Sequence, residues 1–246
     1  MQKFKELKDV HRKLRDSVPA NFGIRIHRAL SWLDKSEQEK DLDSKFIFLW
    51  ISLNSAYVVP LEYAKKVHTK NFLFSTDESS RSDFFSKMLK HNNKEIHQVI
   101  WKTFSGPIRG ILNNEFILKS YWQDKEKDWR KMLHKEKTKV HRAISDEKDT
   151  HYILGILFKR LYVLRNQIFH GGTTWNGKVN RDQVNDGARL MQHIVPLFID
   201  IMMKNPSEDW GTLPYSPPIT EQEKSKGQEQ ERVMASQKRA NKNLKA

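Results

Sequence analysis

Apolar residues recur along most of this chain at spacings of three and four, the period of a helix with one buried face. Phe4, Leu7, Val10 and Leu14 form such a stripe on a short basic helix over residues 2–16. Val18-Pro19-Ala20-Asn21-Phe22-Gly23 breaks it. A second helix over 24–37 turns Ile26, Leu30 and Leu33 inward and leaves Arg25, His27 and Arg28 on its solvated side, where they could also touch RNA. Asp41 or Asp43 caps a third helix, from about Leu42 to Lys66. Its stretch from Phe46 to Tyr57 is apolar nearly all round, the mark of a central element. Pro60 ends or kinks it.

Residues 67–80 read as a polar loop, with Ser79 or Ser80 capping a helix that carries Phe84, Phe85, Met88 and Leu89. Asn92-Asn93 separates this from a helix with Ile96, Val99, Ile100 and Phe104, which Gly106-Pro107 stops. Residues 108–121 continue with Ile111, Leu112, Phe116, Ile117 and Leu118. A long apolar helix starts near Asp149, with Ile153, Leu157, Leu161, Leu164 and Ile168 on its core stripe. The neighbouring stripe reads Leu154, Phe158, Tyr162, Arg165 and Phe169. It holds one guanidinium among apolar groups, which must be paired or held at an interface. Gly171-Gly172 is a helix stop, so His170 falls at the end of this helix. Asn180 or Asp182 starts a last helix through Lys204, with Pro196 as a kink. The pattern predicts an all-α bundle. Residues 205–219 read as an extended Pro-rich strap, and residues 220–246 as a disordered, charged tail.

Composition adds a partner. The net charge is +14 over 246 residues, which suits an acidic polymer such as RNA. Residues 119–142 carry nine Lys or Arg against four Asp or Glu, with Tyr121, Trp122 and Trp129 interleaved. Such a mixture holds single strands through phosphate contacts and base stacking, and it equally describes a long solvated helix laced with ion pairs. Lys125, Trp129, Arg130 and Lys131 are the RNA contacts it nominates. The absence of cysteine excludes disulfides and thiolate catalysis and suits the cytoplasm. No apolar run approaches 18 residues, so no membrane span is expected. His134 and His141 have no carboxylate partner at metal-like spacing, so neither metal nor cofactor is expected.

The sharpest motif is Arg165-Asn166-x-x-x-His170. With 14 Arg, 14 Asn and 10 His in the chain, an Arg-Asn with His five after the Arg is expected about 0.03 times by chance. This motif, on a long apolar helix before a Gly pair, resembles the Arg-x(4–6)-His signature of the HEPN superfamily. The resemblance implies a HEPN-like helical bundle over residues 1–204. Its core would lie at about 22–66 and 148–204, with helical insertions at 67–147. It implies a metal-independent endoribonuclease with Arg165, Asn166 and His170 as catalytic residues. The site would form where two copies pair as a homodimer. The products would be a 2′,3′-cyclic phosphate and a 5′-hydroxyl. Such proteins act as toxins or antiviral effectors, under an antitoxin or activator protein. Asn54 shares a stripe with Ile47, Trp50 and Val58. Asn54 is either a satisfied core amide or, with Gly171, a support for the site. Some HEPN toxins carry a modifiable Tyr two residues beyond the His, where this chain has Gly172. A non-catalytic RNA-binding or dimerising module, or a subunit that neutralises another protein, are the competing readings.

Overall fold

The computed structural model describes residues 3–60, 76–123, 128–146 and 149–215, and every regular element among them is helical. Helix α1 spans Lys3–Leu14, α2 Ala20–Gln38, α3 Leu42–Tyr57 and α4 Thr76–His97. A π-helical turn, Gln98–Thr103, leads to α5 at Ser105–Asn113 and a 3₁₀ turn at Glu115–Ile117. Helix α6 spans Lys119–Gln123, α7 Trp129–Asp146, α8 Thr150–Phe169 and α9 Arg181–Lys204. No helix of the described residues is long and apolar enough to cross a membrane.

Helix α3 lies at the centre, as its all-round apolar sequence requires. Phe46, Leu49 and Leu53 are fully buried. Trp50 packs on Phe158 and Tyr162 of α8, with ring centroids 6.2 and 6.1 Å apart. Asp41 caps its start, accepting from the Ser44 amide at 2.8 Å. Helix α9 closes against both partners at Gly187. A Cβ there would lie 3.0 Å from Leu161 and 3.1 Å from Phe46, tighter than ordinary contact, so a larger residue would need those two side chains to give way.

The core is wider than the two segments assigned to it. Phe84, Phe85 and Met88 of α4 lie inside it. Phe85 meets Phe158 at 5.0 Å, and Phe84 meets Phe198 of α9 edge-on at 5.5 Å. Each fully buried side chain of this size contributes about 1.5–3 kcal/mol, so residue 67 is no packing boundary. Residues 205–214 of the strap likewise belong to the same compact unit as the bundle. Trp210 and Leu213 are buried. Helix α3 stops at Tyr57, with an extended Val58 as its C-cap, rather than running to Lys66. The far end of the strap, the tail at 220–246 and the loop at 67–75 lie outside the described residues.

Several boundaries move. Pro19 stands at the N-cap of α2, so Ala20 to Gly23 are helical rather than a break. Ser79 and Ser80 lie inside α4 rather than capping it. Asn92 does divide α4 as expected: its backbone is non-helical, at φ −151°, and its side chain caps the helical segment that follows by accepting from the Glu95 amide. Gly106-Pro107 opens α5 instead of stopping a helix, in the first turn, where a missing N–H costs nothing. The long helix expected over 119–142 is two, α6 and α7.

Arg25 is the largest correction. It was assigned to the solvated side of its helix, yet it is 1% exposed. Its Nη1 donates to the carbonyls of Ala56 and Val58 at 3.0 Å and of Ser55 at 3.4 Å. Its Nη2 donates to Thr212 at 2.8 Å and Gly211 at 3.3 Å. The last carbonyls of α3 have no donors within the helix, and the extended strap at Gly211 and Thr212 has no helical ladder to supply them. One guanidinium, with five N–H groups in a fixed fork, answers both. Its charge also suits the negative end of the α3 dipole.

Candidate active site at the end of α8

Asp149 caps α8 by accepting from the Tyr152 amide at 2.9 Å. The core stripe behaves as its spacing demands, with Ile153, Leu157, Leu161 and Leu164 fully buried. The second stripe does not lie at a surface along its length. Leu154 and Phe158 are fully buried, and Tyr162 is half-buried beneath Arg81. Only its end surfaces, at half-buried Arg165 and at Phe169, which is 60% exposed. The guanidinium therefore needs no interface to escape burial.

The helix stops where the Gly pair requires. His170 occupies the C-cap, its amide donating to the Asn166 carbonyl at 3.0 Å. Gly171 follows at φ +71°, the left-handed position that glycine takes without strain. This leaves His170 exposed on the last turn, one residue past the helix.

Five residues on a regular helix separate two side chains by about 140°. Here Phe169 touches both. The Arg165 guanidinium lies 4.5 Å from the centroid of the Phe169 ring. The His170 imidazole stands edge-on to the same ring, with centroids 5.6 Å apart. Asn166 Oδ1 accepts from Arg165 Nη1 at 2.9 Å. Among the described residues no carboxylate pairs with Arg165. The four side chains form one group at the helix end: a cation held by an amide and a ring, and an imidazole against that same ring. Phe169 was read as another apolar stripe member. The signal that marks it out is its place beyond Leu164, where α8 outruns its packing.

Asn54 does not join this group. Phe46 and Leu161 both come against Gly187, while near the start of α9 Arg181 pairs with Asp43 of α3 and Asn180 with Gln167 of α8. Helices α3 and α8 therefore run antiparallel, and Asn54, one turn beyond Trp50, lies toward the opposite end of α8 from His170. Its Oδ1 is buried without a hydrogen-bond partner among the described residues. The residue of α3 that does reach the α8 end is Asp43. It takes Arg181 of α9 in a fork at 2.8 and 3.2 Å and accepts from the Asn176 amide at 3.3 Å, anchoring the loop that follows His170.

A second group adjoins α8 through Gln167. Its Nε2 donates to the Phe116 carbonyl at 2.7 Å, and the Trp122 indole donates to the same oxygen at 2.7 Å. Asn180 Nδ2 fixes Gln167 by donating to Oε1 at 2.9 Å. Of the nominated RNA contacts, Trp129 meets Tyr121 at 5.0 Å, and Arg130 covers the Trp129 ring at 4.8 Å. The Lys131 amide donates to Asp128, which caps α7. Lys125 and the side chain of His141 lie outside the described residues.

The buried charge on α8 is Arg160, not Arg165. It is 2% exposed and hydrogen-bonded to Glu136 of α7, with Nη1 left without a partner among the described residues. Burial pushes its pKa down, and the Glu136 carboxylate opposes that. It joins α7 to α8 and stands clear of the group at the helix end.

Comparison with family models, with curated proteins and with solved structures finds no match. The function rests on the residues alone.

Proposed function

We propose that this chain is a HEPN-type endoribonuclease that cuts RNA without a metal. The observation that carries the reading is the grouping of Arg165, Asn166 and His170 at the exposed end of α8, with the guanidinium unpaired by any described carboxylate. RNA brings its own nucleophile. The 2′-oxygen attacks the adjacent phosphorus and loses its proton to a base. The 5′-oxygen leaves and takes up a proton, giving a 2′,3′-cyclic phosphate and a 5′-hydroxyl. An imidazole, with an unperturbed pKa of about 6.5, suits either proton transfer. Arg165 forks onto the non-bridging oxygens as charge builds there. Asn166 holds the guanidinium in one orientation.

One His cannot be base and acid in the same step. Two copies of the α8 end, facing each other across a two-fold axis, supply both, and so the working unit is a homodimer. A nuclease of this kind fits a toxin or antiviral effector held in check by an antitoxin or released by an activator protein. The test is cleavage of total RNA in EDTA with end-group analysis. Cyclic-phosphate and 5′-hydroxyl ends in chelator are the expected result. Activity lost to chelator and restored by one divalent ion would overturn the mechanism. Light scattering, with mixing of Arg165→Ala and His170→Ala proteins, checks the composite site. A monomer that still cuts RNA would refute it.

A further inference from the structure

The ring cluster beside α8 is built differently from a core. Phe116 meets Tyr121 edge-on at 5.4 Å, Tyr121 meets Trp122 at 5.1 Å, and Tyr121 meets Trp129 at 5.0 Å. In a core such rings would be covered. Here Phe116 is 43% exposed and Trp122 is 56% exposed. The Trp122 N–H, the one polar handle of an indole, is already used on the Phe116 carbonyl. What remains outward is an apolar ring that cannot turn freely. Gln167 grips the same carbonyl, two residues after Arg165 and three before His170. The rings are therefore fixed to the helix that carries the catalytic group.

We infer that Phe116, Tyr121, Trp122 and Trp129 form a platform on which unpaired bases of RNA stack beside Arg165 and His170. The choice of a single strand over a protein partner rests on charge. Arg130 lies over Trp129, and residues 119–142 carry nine cations against four anions. An apolar protein contact would be depleted of charge at its centre, whereas a strand needs cations along its phosphates and ring faces for its bases. A duplex keeps its bases stacked on one another and gains nothing from the platform. Trp122 is a substrate-positioning residue that selects unpaired RNA. The inference takes the place of cleavage from the ribonuclease reading, but base stacking itself does not depend on it.

The experiment uses the full chain carrying His170→Ala, so that bound RNA stays whole. The probe is a fluorescein-labelled, unstructured RNA of about 12 nucleotides, with its duplex as control. Trp122→Ala, added to this protein, weakens single-strand binding by about 5- to 100-fold and leaves duplex binding unchanged. Trp122→Phe restores most of it. Unchanged single-strand affinity in Trp122→Ala overturns the platform, and so does an effect seen only in the mass measured by light scattering, which would make the patch a protein contact. A strand with abasic sites needs no folded variant. If it binds the Trp122 protein as tightly as the base-bearing strand, the platform is overturned. Loss of stacking in Trp122→Ala, together with no cleavage by the wild-type chain, upholds the platform and removes the nuclease.

Discussion

Arg25 and Arg165 put the same group to opposite uses. Arg25 is sealed under α3 and the strap, with its Nη1 and Nη2 donating to five backbone carbonyls. Arg165 stands at the end of α8 with one amide and one ring as partners. The first is a structural rivet. The second, on the proposed reading, offers its remaining donors to an incoming oxyanion. Charge and helical position do not separate them, because both are single cations one step from a buried stripe. What separates them is the supply of unmet acceptors within reach. The end of α3 and the strap offer such acceptors, and the exposed end of α8 leaves room for a ligand to bring its own.

The comparison breaks most sharply on catalysis. His170→Ala should lower single-turnover RNA cleavage by about 10²–10⁴-fold, the usual worth of a positioned proton-transfer group. Arg165→Ala should cause a loss of similar order, and neither should move the urea midpoint by much. Full activity in either variant would remove the site. Arg25→Ala should do the reverse. It strands buried carbonyls and should cost about 3 kcal/mol or more in urea unfolding, with the residual folded protein still active. Arg25→Lys should not rescue it, since an ammonium cannot reach acceptors on both sides. A small stability change in Arg25→Ala would show that the carbonyls find other donors.

The strap offers a gentler test through acid. Glu208 is held by Lys90 and His91, and these hydrogen bonds pull its pKa from 4.5 down to about 2. The unfolded chain takes up a proton near the ordinary value and the folded chain does not. The stabilisation is thus complete above about pH 4.5 and is lost as the pH falls through about 2. Glu208→Gln should flatten the pH dependence of unfolding in that window, followed through fluorescence of buried Trp210. An unaltered profile would place the acid sensitivity elsewhere. The smallest effect expected is at Phe169. Phe169→Leu keeps an apolar side chain but removes the ring under Arg165, worth about 0.5–1 kcal/mol at an exposed site. Cleavage should fall about two- to fivefold, with no change in unfolding. A loss as large as that of Arg165→Ala would mean that the ring does more than hold the cation.

Much of the fold was legible because helical periodicity is local. The stripe of α8, its start near Asp149 and its Gly171-Gly172 stop all appear in the order of residues, and so does the position of His170. The role of Arg25 was not legible. Its acceptors come from Ser55 to Val58 and from Gly211 and Thr212, segments brought together only by the bundle. Asn54 failed for a related reason. A stripe tells which face of α3 is buried, but not which way α3 runs beside α8. The antiparallel pairing carries Asn54 away from His170 and brings Asp43 toward it. Arg165 was placed correctly on its helix, but its stripe leaves the core after Tyr162. That depends on where the neighbouring helices end.

Asp43 has one more consequence, for how such a site could diversify. It clamps Arg181 and the Asn176 amide, while Gly171 fixes the other end of the same loop. Residues 172–175 thus bridge two immovable posts beside His170. Doubling the length of a loop between fixed ends costs only about 0.6 kcal/mol. Insertions here could lengthen the rim over His170 and reshape what enters it, while every helix of the bundle stays where it is.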